Sequence, residues 1–426
     1  LAQTLVEEAA HLGDQNYKKK YIDKDITLRA DHTPTTIEWQ VNWKKGQTYT
    51  LHYTILFPPM SPEYYLVGPL AIGSFAEARQ WQIASDATLC WDGGGVDNNY
   101  NTAANWAGDA NPITTSNITF HGATCTAGTP DKSITLNVNV ALTGTGGGIT
   151  LSSDYTGTMT QASGVTITVD TLGFSIAGGT FAGGNSAINV NDATSADFNQ
   201  TGGTFTSTSG TMTVADNFTS SAGTFTHNSG SVVLSIADGG SATLNTNKTF
   251  NNLDLGNGGC LVDDTMTITN GTTTTVTGTF TLNNTCGAPT LDVTVTIVAQ
   301  GNITSIDQGV ENRTTTTEII VSGTADQIIT GETDTDTKFP SLNITKTGGS
   351  LTFVNTLLAT GNFTNSATNT TFTSTGSTII FNPNGNNTRT ITGSISLNNV
   401  TITGCASAEH ILASGTTLTV LGNLSL

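Results

Sequence analysis

The chain has 426 residues, with 14 Lys and Arg against 32 Asp and Glu and a formal net charge of −18. Such an acidic excess without basic clusters excludes a nucleic-acid-binding face, and no apolar run reaches the roughly 18 residues that a transmembrane helix needs. Charged residues make up only 11% of the chain, and Thr, Ser, Asn and Gly replace them, which points to a long, neutral, β-rich extracellular protein rather than an ordinary cytosolic enzyme.

The chain opens at Leu1 without Met and without a signal pattern, as expected of a mature product or a fragment. Its composition changes near residue 84. Residues 1–83 hold 8 basic and 9 acidic residues, while residues 84–426 hold 6 and 23, a net charge of −17. Trp39, Trp43, Trp81, Trp91 and Trp106 all precede residue 107. Three parts are therefore expected: an Ig-like β module over 1–83, an aromatic and Asn-rich bridge or cap over 84–128, and β-solenoid repeats over 129–426.

In the first part, Leu1, Leu5, Ala9 and Leu12 share one helical face, and Gly13 would end a short helix there. Ile37, Trp39, Val41 and Trp43 then alternate with polar residues, as do Tyr49, Leu51, Tyr53, Ile55 and Phe57. Lys44–Gln47 lies between the two runs, so the spacing predicts a hairpin. Two strands do not stand alone, and segments 26–29 and 66–72 are expected to join them in a small sandwich or part of one.

The bridge carries Cys90, Trp91-Asp92-Gly93, Asp97-Asn98-Asn99-Tyr100, Thr102, Asn105-Trp106, Pro112, Phe120 and Cys125. That spacing resembles a segment found at the start of β-strand repeats in autotransporter passengers and related surface proteins. The resemblance implies a cap whose aromatics cover the apolar end of a strand stack. A Ca²⁺ ion in the Asp- and Asn-rich loop is the second reading, with a simple turn favoured. No other cofactor is expected.

After residue 129, short Thr, Ser, Val and Ile strands recur every 8–12 residues between Gly and Asn. Three stretches look alike. Ser231–Leu234 precedes Phe250-Asn-Asn-Leu-Asp-Leu255, Glu318–Val321 precedes Phe339-Pro-Ser-Leu-Asn-Ile344, and Thr378–Phe381 precedes Leu397-Asn-Asn-Val-Thr-Ile402. Each leads to a glycine step, at Gly278-Thr-Phe-Thr281, Gly361-Asn-Phe-Thr364 and Gly422-Asn-Leu-Ser425. A finer Thr-Phe ladder at 180–181, 204–205, 224–225, 249–250 and 279–280 steps by 24, 20, 25 and 30 residues. A unit of that length is one coil of a parallel β-solenoid. The expected fold is all-β, a right-handed parallel β-solenoid (β-helix) behind the Ig-like module, and an array of antiparallel β-sandwiches is the alternative. At about 4.8 Å per coil the rod would be about 60 Å long.

The F-N-N-L-x-L pattern with its glycine step resembles repeats of bacterial and archaeal cell-surface adhesin-like proteins. The stretch from Tyr49 to Gly68 is similar to Ig-like regions of large archaeal surface proteins. The last strands, Leu418–Leu421 and Gly422–Leu426, stop in mid-unit without a cap; such an edge templates pairing, so the expectation is either that the protein continues or that this end joins another subunit.

Catalytic patterns are sparse. Galacturonase-type β-helix hydrolases need N-T-D, D-D, G-H-G and R-I-K, and only Asp263-Asp264 matches. Adjacent aspartates on a strand point to opposite faces, so a turn is the better reading. Lys248, Arg313, Lys338, Lys346 and Arg389 are scattered, and the six histidines show no ligand spacing. Glu332 with Thr333–Asp336 is the densest acidic spot and reads as a solvated loop. Cys90–Cys125 could lock the bridge and Cys260–Cys286 could bond stacked coils, leaving Cys405; five buried thiols are the alternative. There are 14 N-x-S/T sequons, among them Asn117, Asn217, Asn247, Asn270, Asn302, Asn343, Asn362 and Asn423. The expectation is a non-enzymatic surface protein that assembles head-to-tail into a filament, stalk or layer. A glycan-binding adhesin and a polysaccharide-degrading enzyme are the competitors.

Overall fold

The computed structural model describes residues 89–106, 109–121, 133–191, 196–235, 241–256, 265–269, 271–284, 296–307, 318–332, 338–383, 388–404 and 409–426. Before these it describes residues 3–6, 25–27, 37–40, 54–56, 64–67, 71–72, 74–76, 78 and 81–84. Among the described residues the chain is all-β, apart from a 3-10 turn at Ala103–Asn105.

Among the described residues from Leu89 onward every pair of hydrogen-bonded strands is parallel, and a strand pairs with one a full coil later rather than with its sequence neighbour. Three consecutive strands define the pattern. Gly148–Leu151 pairs with Gly173–Ile176, Thr158–Gln161 with Thr180–Ala182, and Ile167–Val169 with Ile188–Val190. These belong to three faces. The first holds an 8-stranded ladder from Leu89–Cys90 to Thr265–Ile268. The second starts as a 5-stranded ladder from Ile134–Leu136 to Thr224–Thr226, followed by an 8-stranded ladder from Thr249–Phe250 to His410–Leu412. The third is an 11-stranded ladder from Val140–Leu142 to Thr371–Thr373. In the later coils a 5-stranded ladder from Lys338–Phe339 to Leu424–Ser425 takes the place of the first face. The fold is a parallel β-solenoid of about ten turns, and the antiparallel sandwich array does not occur among the described residues from 89 onward.

The alternation of each short strand explains the core. Along Ile167–Val169, Ile188–Val190 and Phe218–Ser220 the order is buried, half-buried, buried. Odd and even residues of a strand point to opposite faces, so a three-residue strand sends two side chains inward and one out. Like then stacks on like. Phe181 and Phe205 stack at 4.8 Å with 14° between rings, and Phe205 and Phe225 stack at 5.9 Å and 8°. Phe250 continues the column at 5.3 Å from Phe225. Phe280 departs from it and lies on the third face, paired with Leu253, so the 30-residue step in the Thr-Phe ladder is a change of face.

The three look-alike stretches also lie on different faces. Ser231–Leu234 and Asn252–Leu255 stack on the third, Glu318–Val321 and Ser341–Ile344 on the second, and Thr378–Phe381 and Asn399–Ile402 on the ladder that replaces the first. Their shared residues serve one local task. Asn252 Oδ1 accepts the Thr279 amide at 2.8 Å, Ser341 Oγ accepts the Asn362 amide at 3.2 Å, and Asn399 Oδ1 accepts the Asn423 amide at 3.0 Å. A corner side chain on one coil thus satisfies a backbone donor on the next. The glycine step makes room for it: a Cβ at Gly278 or Gly422 would lie 2.4 or 2.5 Å from the corner Asn Oδ1, and one at Gly361 2.6 Å from Ser341 Oγ.

Three expectations differ from the structure. The ladders begin at Leu89–Cys90 and Asn117–Phe120 rather than at residue 129. Gln3–Val6, placed in a helix by its apolar spacing, is a strand paired with Ile37–Gln40; the Leu and Val there suit either element, and pairing decides. Of the expected hairpin only Ile37–Gln40 and Thr54–Leu56 are described; these pair in parallel with earlier segments, Gln3–Val6 and Asp25–Thr27, and not with each other among the described residues. The strands Tyr64–Val67 and Trp81–Ala84 are antiparallel. Most of the residues on which an Ig-like sandwich would rest lie outside the described ones.

Gly278→Ala is expected to lower stability by about 1–3 kcal/mol, the usual penalty for a buried donor displaced from its acceptor. Phe205→Ala, which opens the aromatic column, should cost about 3–5 kcal/mol. Denaturant titration measures both, and an unchanged midpoint for Gly278→Ala would refute the corner account.

Candidate functional site

Buried polar groups occur in several places among the described residues, and two of them bring a charged side chain into the network: the loop at the start of the solenoid and a corner of the later coils. The first is built from residues 89–106. Leu89–Cys90 pairs with Asn117–Phe120 on the first face, while Tyr100 donates its amide to Thr135 O at 2.9 Å and Thr135 donates to Asn98 O at 2.7 Å. The segment is thus laid across the first coil. Trp91, Tyr100 and Trp106 are buried. Trp106 lies 5.2 Å from Trp91, 5.4 Å from Tyr100 and 6.0 Å from Phe120, in edge-on contacts, and Phe120 lies 5.6 Å from Tyr155 on the next coil. Such edge-to-face pairs add to simple area burial. Trp106 Nε1 donates to Tyr100 O at 2.7 Å, so the buried indole is satisfied.

The polar half of this loop is centred on Asn105, which is fully buried. Its Oδ1 accepts the Gly95 amide at 2.9 Å, and its Nδ2 donates to Asn99 O at 3.0 Å and to Asp97 Oδ1 at 3.3 Å. Asp97 also accepts the Asn99 amide at 3.1 Å and Asn99 Nδ2 at 2.9 Å. The Asn99 amide, with further bonds from Thr102, Asn99 and Asn105, holds the Asp97 carboxyl below its ordinary value. Asp92 Oδ1 accepts the Gly94 amide at 3.0 Å. Both Asp97 oxygens, Asp92 Oδ1 and Asn105 Oδ1 are therefore already acceptors within the loop, and no group of three or more His, Cys, Asp or Glu suited to a metal occurs among the described residues.

The second place was not legible as a site. Leu342, Ile344 and Lys346 continue one inward alternation, so Lys346 enters the interior and is fully buried. Its Nζ donates to Ala325 O and to Gln327 Oε1, both at 2.7 Å. Gln327, also buried, donates through Nε2 to Gly301 O at 2.8 Å and Ala299 O at 3.2 Å. One polar chain therefore crosses three coils. Burial pushes the Lys346 ammonium below its ordinary pKa, and the Asp326 carboxylate opposes the shift. Asp326 is itself held low by the Ser350 amide and hydroxyl.

The remaining candidates are dispersed. Cys90 is disulfide-bonded, and Cys125, Cys260, Cys286 and Cys405 lie outside the described residues, as do Asp263-Asp264, Thr333–Asp336, Arg313 and Asn270. Asn247, Asn302, Asn362 and Asn423 are exposed, and Asn117, Asn217 and Asn343 are half-buried. Three of the exposed ones are corner residues: Asn247, Asn302 and Asn362 accept the amides of Thr273, Ile328 and Thr390 on the following coil, at 2.6, 2.9 and 3.1 Å. Asn217 bonds Asp197 at 2.9 Å and Asn343 bonds Glu318 at 3.0 Å. His121 lies 3.7 Å from Asp154, His227 accepts the Ser229 amide, and His410 is buried with Nε2 3.2 Å from Gly361 O. No helix among the described residues is long and apolar enough to cross a membrane.

Two pH effects follow. Because Asp97 is more acidic folded than unfolded, its contribution is complete above the unfolded value of about 3.9 and fades as pH falls through the folded one. The tryptophan signal of the cap should therefore change only in acid, and Asp97→Asn should remove that transition. Lys346 is less basic folded than unfolded, so stability should rise with pH between its folded value and the unfolded value of about 10.4. Lys346→Met should abolish that rise, and by orphaning two acceptors it should cost about 1–3 kcal/mol at neutral pH.

No family model, curated protein or solved structure matches the chain.

Proposed function

We propose that the chain is a non-enzymatic, exported structural protein, the subunit of a cell-surface filament, stalk or layer. The observation that carries this reading is the 11-stranded parallel ladder with like residues stacked on like. Backbone hydrogen bonds in that arrangement run along the rod axis, so an axial pull is spread over every corner of a coil. Three of the buried polar residues, Asn105, Gln327 and Lys346, bond to backbone or to each other and so help to maintain the stack. The disulfide at Cys90 favours an oxidising compartment. Exposed sequons at Asn247, Asn302, Asn362 and Asn423 would accept glycans there.

Joining would be head-to-tail through strand edges. Leu412, Leu421 and Leu424, in the last coils, are 43%, 68% and 53% exposed. They form a surface that a further coil would bury, and in this reading a second copy supplies it. Contacts between unlike ends extend into open filaments. In this reading the rod is right-handed and residues 1–83 form an Ig-like module at its other end.

Mass measurement in solution across a concentration series, with electron microscopy of the same material, tests the proposal. Filaments with an axial repeat near one subunit's length are expected, and Leu424→Lys should disperse them. Rods that stay monomeric at every concentration would overturn head-to-tail joining.

A further inference from the structure

The second face has a property that neither stacking nor joining requires. Across five consecutive coils it presents two outward columns. One runs Ser133, Thr158, Thr180, Thr204, Thr224; the other runs Thr135, Thr160, Ala182, Thr206, Thr226. Nine of the ten positions are hydroxyl residues, and all ten are half-buried or exposed. None is charged, in a chain of net charge −18. No hydrogen bond ties the hydroxyls of Thr158, Thr160, Thr180, Thr204, Thr206, Thr224 or Thr226 to the described protein.

The columns are held in register from below and from the side. Met159, Phe181, Phe205 and Phe225 lie between them on the inward face, with the three Phe rings stacked. Each of the last three ranks is entered through a left-handed glycine, Gly179, Gly203 and Gly223, with φ of +62°, +60° and +74°. Thr204 donates its amide to Gly179 O and Thr224 to Gly203 O, both at 2.9 Å. Identical turns therefore launch identical strands. Thr is stiff at χ1, so its methyl and hydroxyl are fixed once the backbone is.

The result is a net of hydroxyl residues with two repeats set by strand geometry, about 4.8 Å along the rod and about 6.7 Å along each strand. A threonine methyl is apolar and its hydroxyl both donates and accepts, so such a net offers water one bonding point per residue. Ordering those waters costs little when the face is already rigid. A crystal can take over such an array without rearrangement if its own acceptors and donors repeat at similar distances in two directions and it carries no charge. The oxygen lattice of hexagonal ice meets both conditions. We infer that the Thr face of residues 133–226 is an ice-binding surface. The inference is independent of head-to-tail joining, because the face lies along the rod and not at its ends.

Ice-crystal habit and recrystallisation in frozen sucrose, measured with the purified full chain, test it. Faceted crystals and inhibited recrystallisation are expected. Thr204→Lys with Thr206→Lys should weaken inhibition by about tenfold or more, equivalent to at least one decade in affinity. Ala182→Thr fills the one gap in the columns and should strengthen it, a gain that a folding defect does not imitate. Thr168→Lys, outward on the third face, should leave it unchanged, and circular dichroism verifies that each variant folds. Ice growth unaltered by the chain would overturn the inference. So would equal losses from the second-face and third-face lysines, or binding to crystalline cellulose or chitin in place of ice.

Discussion

Every coil of this protein is held by backbone donors and acceptors that point along the rod, to the coil before and the coil after. That single constraint decides which residues are admissible. A strand stacked in parallel register on another puts equivalent positions about 4.8 Å apart, so a charge would meet its own kind while Phe, Thr or Asn meets a compatible partner. The composition follows: 11% charged residues, and 6 basic ones after residue 83. The corners obey the same rule. Backbone donors left over where one face turns into the next are taken by Asn or Ser side chains from the neighbouring coil, and glycine keeps that approach open.

This explains why the repeats were legible and their placement was not. F-N-N-L-x-L followed by a glycine step marks an inward apolar residue, a corner and a new strand. It says nothing about which corner, because all three faces ask the same of it. The three copies, at residues 250–255, 339–344 and 397–402, therefore lie on three different ladders. The alternation of the strands could be read directly, whereas the parallel architecture stood beside an antiparallel alternative until the strand pairing decided it. The start of the ladder could not, because Leu89 and Cys90 form a two-residue strand with no periodicity to detect.

Lys346 shows the opposite failure. A lone Lys in a polar, Thr-rich stretch reads as a surface residue. Its burial depends on the inward alternation of Leu342 and Ile344 persisting beyond the strand end, and on Gln327 and Ala325 standing one coil away to receive it. The cap motif was legible in a third way. The residues Trp91, Asp97, Asn99, Tyr100, Asn105 and Trp106 were visible as a unit, but only the geometry separates the rings that pack on one another from the amide and carboxylate that bond within the loop.

The central claim is in-register parallel stacking, and pairwise cross-linking tests it most directly. Thr204 and Thr224 are register partners on the second face, whereas Thr213 belongs to the third. A chain carrying Thr204→Cys and Thr224→Cys should give a short intramolecular cross-link between those positions, identified by mass spectrometry of the digest. One carrying Thr204→Cys and Thr213→Cys should give none. A cross-link in the second variant and not in the first would contradict the stacked solenoid.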